Sequence, residues 1–259
     1  FVLAGSVDPA TGRAISGTLS APAGVYVVSP LTTLMSALVE RELARTGTAD
    51  ILTASLRVAQ GLGLPPVDLS RFDPTAQTVA GNSMGAKVYA AQAKVYDTAK
   101  QAAALIAGLP NSPPQSVLQD LAFSDMAAKI EESGSRLNLS NETVVESIIH
   151  AVLTTTGLAT NETLITGAAA IIAAGNRAID AIPLATGTDF LTSVAQGKAV
   201  AQGHVATELL LAAIGQKSIE TVVADSTGAA LATRIAEAAV GNVAAPALMI
   251  SSTGVVEGN

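Results

Sequence analysis

From residue 30 onward apolar positions recur every three or four residues, the spacing that lays a single stripe along a helix. Leu31, Leu34, Met35 and Leu38 open the pattern, directly behind Ser29-Pro30. A serine hydroxyl accepts from an unpaired first-turn N–H, and proline at the first helical position has no N–H to leave unsatisfied. The spacing predicts a helix from about Pro30 to Arg45, ended before Gly47. Upstream, Phe1 to Val7 and Ile15 to Leu19 read as short extended runs around the turn Asp8-Pro9-Ala10-Thr11-Gly12, together a β-hairpin. Ala21 to Leu34 is therefore the stretch that hands an extended N-terminus to a helical body.

The pattern continues along the chain. A second helix opens at Thr48 or Asp50, with Leu52, Leu56 and Ala59 on one face, and Gly61 and Gly63 close it. Leu64 to Pro74 is rich in proline, which removes donors and biases its neighbours toward extended geometry, so it reads as a loop pinned by Leu69 and Phe72. Val88, Ala91, Val95, Ala102, Leu105 and Ile106 predict a long helix from Met84 to Ala107, with Lys87, Lys94 and Lys100 toward solvent. Ser112 repeats the Ser-Pro entry and opens a segment to about Glu132, with a break expected at Phe123-Ser124-Asp125; Gly134 and Asn138 mark the next turn.

Ser140-Asn141-Glu142 and Thr160-Asn161-Glu162 are matching entries, each with a hydroxyl as the expected cap and an acid in the first turn. The first of these helices carries Val145, Ile148, Ile149, Val152 and Leu153, and the second runs to about Ile182. Two more are predicted, from Asp189 to Ile214, weakened by Gly197 and Gly203, and from Thr227 to Val240. The tail from Asn242 to Asn259 reads as extended, and its apolar run Ala247 to Ile250 is expected to pair with the N-terminal hairpin. The duplicated entry is too local for a solenoid. The expected fold is mostly α, an Ala-rich multi-helix bundle with a small β element formed by the N- and C-terminal segments. Residues 1–28 form the extended segment, 29–242 the helical domain and 243–259 the tail.

Composition narrows the function classes. In 259 residues, 49% hydrophobic content supports a core without a disulfide or metal staple, while 3% aromatic content and no Trp point to close packing through small side chains. Absent cysteine excludes disulfide frameworks, thiol catalysis, Fe–S clusters and Cys-based zinc sites. A net charge of −7 argues against nucleic acid, because that affinity needs a cationic face. Charged residues make up only 14%, which leaves a surface of small and neutral polar residues suited to burial in an assembly. No apolar window approaches the roughly 20 residues a membrane span needs, so no membrane insertion is expected. Phe1 stands where an initiator Met is usual, and the N-terminus reads as a cut end.

Three groups of residues carry a resemblance. Gly5-Ser6-Val7-Asp8-Pro9-Ala10-Thr11-Gly12, Gly17-Thr18-Leu19-Ser20-Ala21-Pro22-Ala23-Gly24 and Val28-Ser29-Pro30-Leu31-Thr32-Thr33-Leu34, followed by Gly61-Leu62-Gly63-Leu64 and Phe72-Asp73-Pro74, resemble a module of very large secreted bacterial proteins. Those are adhesin-like surface chains, often bearing cadherin-like, VCBS or RTX calcium-binding repeats. The resemblance covers roughly residues 1–80 and implies an extracellular, cell-surface setting in bacteria. It implies no catalytic residue, and the Asp-rich calcium nonapeptides of RTX repeats are absent.

Candidate chemistry is sparse. The only two histidines each lie four residues from a glutamate, Glu146 with His150 and His204 with Glu208. On helices each pair shares a face, so two meeting helices would bring imidazoles and carboxylates onto a metal, or the imidazoles onto a haem. The simpler expectation is an i,i+4 polar pair on a solvated face. Asp8, Asp68 and Asp73 are loop carboxylates of a type that binds Ca²⁺, but without EF-hand spacing turn and capping roles come first. Asn138, Asn141 and Asn161 open Asn-x-Ser/Thr triplets and read as helix-entry residues. No Gly-x-Ser-x-Gly elbow accompanies a histidine, and Gly61-Leu62-Gly63 runs into prolines rather than a helix, so neither a hydrolase triad nor a dinucleotide site is indicated.

The leading expectation is a non-catalytic structural or adhesive module of a secreted surface protein, self-assembling or docked to neighbouring domains of its own chain. The alternative is an extracellular ligand-, metal- or pigment-binding helical protein, with no cofactor specified by the residues. Nothing in the sequence supports an enzyme.

Overall fold

The computed structural model describes residues 2–3, 5–133, 136–245 and 248–249. Gly134 and the tail beyond residue 249, both given roles above, lie outside the described residues, as does Phe1. The chain is mostly helical with a small β element.

The extended N-terminal segment supplies five two-residue strands. These are β1 (Val2–Leu3), β2 (Val7–Asp8), β3 (Arg13–Ala14), β4 (Leu19–Ser20) and β5 (Val27–Val28). β2 and β3 pair antiparallel around the turn at Pro9 to Gly12, where Gly12 N–H reaches the Asp8 carbonyl at 2.7 Å, and β1 returns to pair with β4. The C-terminal strand β6 (Leu248–Met249) pairs with β5, Val28 opposite Leu248. It therefore joins the strand before the first helix, not the hairpin that the sequence pattern led us to expect.

α1 (Pro30–Thr46) starts as the Ser-Pro entry predicts. Ser29 Oγ accepts from Thr32 N–H at 3.2 Å while Thr32 Oγ1 accepts from Ser29 N–H at 2.8 Å, and Gly47, in the left-handed region at φ 77°, ends the helix. α2 (Ile51–Gly61) is capped by Asp50, whose carboxylate accepts from Thr53 N–H at 2.7 Å. Its core face differs in part from the expected one: Ala59 is buried as expected, but with Ala54 and Val58, whereas Leu52 and Leu56 are exposed. The proline-rich loop is held by buried Leu69 and partly buried Phe72, then turns into α3 (Pro74–Val79), a short helix capped by Asp73 that hydrophobic spacing alone did not reveal.

α4 (Ser83–Ala107) is the centre of the molecule. It touches α1 and α3, and also α5 (Gln115–Ser133), α6 (Glu142–Thr156), α7 (Glu162–Asp180), α8 (Thr188–Val200) and α9 (Ala206–Ala213). From Val95 to Ile106 every residue is buried, so α4 has no solvent face over that stretch. Lys87 is exposed, but Lys94 is half-buried against Asp180 at 2.6 Å and Lys100 is buried, which corrects the expectation that all three face water. At its start α4 lies so near α3 that a Cβ on Gly85 would collide with the backbone of Thr78.

α5 runs unbroken through Phe123-Ser124-Asp125, and Phe123 is fully buried. The matching entries of α6 and α7 are capped by Asn141 and Asn161 rather than by the preceding hydroxyls: Asn141 Oδ1 accepts from Thr143 N–H at 2.9 Å and Asn161 Oδ1 from Leu164 N–H at 2.7 Å. α8 and α9 are joined by a π-helical turn at Ala201–Val205, which contains Gly203, one of the glycines expected to weaken this helix. α10 (Ile219–Ser226), capped by Ser218, was not signalled by periodicity, and α11 (Gly228–Glu237) follows it. Among the described residues no helix is long and apolar enough to cross a membrane.

Candidate functional site

The large apolar core lies where α4 meets α1, α5, α6 and α7, around Leu34, Met35, Phe123, Ile148 and Ile149. The other side of α4 is built differently. Tyr89, Gln92, Ala93 and Tyr96, at helical spacing on one face, line a cavity of about 300 Å³ beneath the N-terminal hairpin. Ile15, Leu19, Val28 and Val243 supply apolar wall, and the hairpin residues Ser6 to Ala10 close one side. Beside it a separate small core, Ala86, Phe190, Leu191 and Val194 with Tyr89 and Ala93, fixes α8 against α4.

Two ionisable side chains from distant parts of the chain meet at this cavity. Lys198 of α8 places Nζ 2.7 Å from Asp8 Oδ2 of β2, and the side chains are only 10% and 16% exposed. Asp8 Oδ1 accepts from Ala10 N–H at 2.9 Å, so the turn that the sequence assigned to this aspartate also aims its carboxylate inward. Lys198 Nζ lies 5.6 Å from the centre of the Tyr89 ring, a cation–π contact. Burial pulls the Lys198 ammonium down, but Tyr89, Asp8 and Asp97 around it outweigh that and raise it above the ordinary lysine value. Burial works against the Asp8 carboxylate as well, but Lys198, with hydrogen bonds from the Ala10 N–H and Thr11, more than compensates, so Asp8 stays below the usual aspartate value. The pair is charged at neutral pH.

Behind the cavity α4 buries further polar groups. Asp97 accepts from Gln202 Nε2 at 2.9 Å through Oδ1, while its Oδ2 has no hydrogen-bond partner among the described residues. Burial pushes Asp97 up to about 7, with the Gln202 hydrogen bond opposing it only in part. Lys100 Nζ donates to the Ala14 carbonyl at 3.3 Å and lies 5.9 Å from the Tyr96 ring centre; burial lowers it below the ordinary lysine value. Gln202 belongs to the π-helical turn, and at Gly203 in the same turn a Cβ would overlap the guanidinium of Arg13 from the hairpin. The hairpin is thus keyed to α8 by Asp8, to the π turn by Arg13 and to α4 by the Ala14 carbonyl. π turns recur at functional sites because they redirect side chains by a fraction of a turn.

The histidine–glutamate pairs do not converge. His150 is exposed on α6, with Nε2 3.1 Å from Glu162 Oε1 of α7 rather than engaged with Glu146, which is half-buried on α6. His204 sits half-buried in the π turn, held below its ordinary value by burial first and by Arg234 next. Glu208 pairs with Lys217, which also meets Asp225 at 2.8 Å. Among the described residues no three His, Asp or Glu side chains are grouped to hold a metal ion, and His150 and Glu208 take Glu162 and Lys217 as partners instead. Asp68 and Asp73 act in turns and caps, accepting from Ser70 N–H at 3.0 Å and Thr75 N–H at 2.9 Å.

The residues grouped at this cavity, Tyr89, Tyr96 and Lys198, and Asp97 behind it were not singled out by the hydrophobic pattern. The available signal was compositional: two of only three tyrosines lie seven residues apart on one helix, and Asp97 and Lys100 interrupt its alanine-rich middle. No family model matches the chain, and the searches of curated proteins and of solved structures return no match.

Proposed function

We propose that this chain is a non-catalytic binding module of the kind of secreted bacterial surface protein that its residues 1–80 resemble, and that it holds a small ligand in the cavity beneath its hairpin. The observation that carries this reading is the cavity itself: about 300 Å³, mostly apolar, walled by two tyrosines and closed at one end by a buried Lys198–Asp8 pair. Ligand pockets occupy roughly 300–1,000 Å³ and combine an apolar lining with a few placed polar groups. A chain that needed only to fold would gain by filling such a space, since close packing is the rule in protein interiors. The buried charged pair points the same way, because an ion pair removed from water is weak support for stability.

Ala93, 1% exposed and part of the cavity wall, provides the test. A thermal-shift screen with small amphipathic compounds is expected to yield ligands that raise the melting temperature of the wild type and lose their effect in Ala93→Phe, where the new ring occupies the cavity. If no compound stabilises the wild type, or if Ala93→Phe responds equally, the reading fails.

A second reading, self-association through terminal strands, is favoured by a specific feature. β1 pairs only with β4 among the described residues, and Val2 is 72% exposed on it, leaving an uncharged strand edge free to accept another strand. On this reading copies of the chain join into an oligomer or filament. Val2→Lys is expected to lower the mass measured by light scattering at high concentration; a wild type that is already monomeric there removes the reading.

A further inference from the structure

The polar end of the cavity has a definite hydrogen-bonding sign. Both oxygens of Asp8 are engaged, Oδ1 by Ala10 N–H at 2.9 Å and Oδ2 by Lys198 at 2.7 Å. Of the three N–H donors on the Lys198 ammonium, one is used in that contact. The Ser6 hydroxyl, also on the cavity wall, is buried and has no partner among the described residues. Ser29, the cap of α1, and Pro30, its first residue, border the same space at the positive end of a 17-residue helix. Unused N–H and O–H donors are thus concentrated at this end, while the carboxylate beside them is already shared between the Ala10 N–H and the Lys198 ammonium.

Resting on the reading of this cavity as a binding site, we propose that its ligand is a small monocarboxylate with an apolar body, the carboxylate seated at Lys198 and the body between Tyr89, Tyr96 and Ile15. A carboxylate accepts the remaining Lys198 donors and the Ser6 hydroxyl through charge-assisted bonds. A ligand ammonium would instead meet the Lys198 charge and would have to share the Asp8 carboxylate with it. The two rings and the isoleucine offer contact area to an aryl or alkyl chain but no further charge. The ligand class thus follows from which hydrogen-bonding capacities the wall leaves open.

Isothermal titration with 3-phenylpropionate, 3-phenylpropan-1-ol and 3-phenylpropylamine separates the alternatives, because the three share a body and differ in the head. The carboxylate is expected to bind the wild type at least about tenfold more tightly than the alcohol, and the amine most weakly. Lys198→Met is expected to bring the carboxylate down to the level of the alcohol while leaving the alcohol unchanged. Since this variant leaves Asp8 unpaired, the double variant Asp8→Asn/Lys198→Met serves as the same comparison in a neutral wall if the single one does not fold. Equal binding of the three heads, or preference for the amine, overturns the carboxylate assignment and leaves the binding site standing. Absence of binding by all three to the wild type, together with a thermal-shift screen that yields no ligand, overturns the binding site as well.

Discussion

The two sides of α4 solve opposite problems with the same backbone. Toward α5, α6 and α7 its small residues let neighbours approach closely, and the space fills with Phe123, Ile148, Ile149 and Ile172, all nearly or fully inaccessible. Toward the hairpin and α8 the same helix presents Tyr89, Tyr96 and Asp97, and what faces them is a cavity and a buried lysine. Dry packing on one side supplies the stability that an incompletely filled, charged side gives up. The difference teaches that burial by itself does not mark core: Asp97 and Phe123 are both 1% exposed, yet one is a packed ring and the other a carboxyl with an unpartnered oxygen.

The dry side should show the largest response to truncation. Phe123→Ala removes a fully buried ring and is expected to cost about 3–5 kcal/mol in a denaturant melt, as large-to-small core substitutions do. A loss under about 0.5 kcal/mol, typical of surface changes, would deny that this side is the packed one.

On the cavity side, Asp8→Ala leaves Lys198 buried without its partner and is expected to cost about 3 kcal/mol, near the lower end of the range for breaking a buried pair because both groups keep some exposure. Replacing both, as Asp8→Ala with Lys198→Met, is expected to recover most of that loss. Such recovery, read in the same melts, distinguishes a charge held for its chemistry from one that the fold depends on.

The smallest effect concerns pH. Asp97 titrates near 7 in the folded protein and at its ordinary 3.8 when unfolded, so the native state binds the extra proton. Its contribution to stability is complete below pH 3.8 and declines as pH rises toward and through 7. Between pH 6 and 8 the wild type should therefore lose about 1 kcal/mol relative to Asp97→Asn. Asp8, shifted the other way, contributes fully above its ordinary 3.8 and loses that contribution only as pH falls below it, and His204 is common to both proteins. Parallel stability profiles for wild type and Asp97→Asn would show that Asp97 is not buried in the way described.

How much of this was legible beforehand depends on what each residue reports. Caps and breakers act within a few residues of themselves, so Ser29-Pro30, Asp50 and Gly47 placed helix ends well. Periodicity tells which residues share a face but not which face is covered. Leu52 and Leu56 formed a stripe with Ala59 on α2 and are nonetheless exposed, while Ala54 and Val58 are buried beside Ala59. Lys100 looked solvated for the related reason that a helix surrounded on all sides buries its polar face too. The cavity was out of reach altogether: Asp8 and Lys198 are 190 positions apart, and neither sits in a local motif that names the other. The Glu146–His150 and His204–Glu208 spacings were visible for the converse reason, being local, and the helices that carry them take other partners across space.

Because the chain has no tryptophan and only three tyrosines, one experiment views the cavity side of α4 together with a control ring outside it. Tyr89 and Tyr96 line the cavity, whereas Tyr26 stacks on Arg71, 5.1 Å from ring centre to guanidinium, and does not line it. In a tyrosine-labelled NMR titration with 3-phenylpropionate, the ring signals of Tyr89 and Tyr96 are expected to shift together and saturate with a single dissociation constant while Tyr26 stays in place. Unchanged Tyr89 and Tyr96 signals, or equal drift of all three rings, would contradict the claim that the space under the hairpin is a binding site.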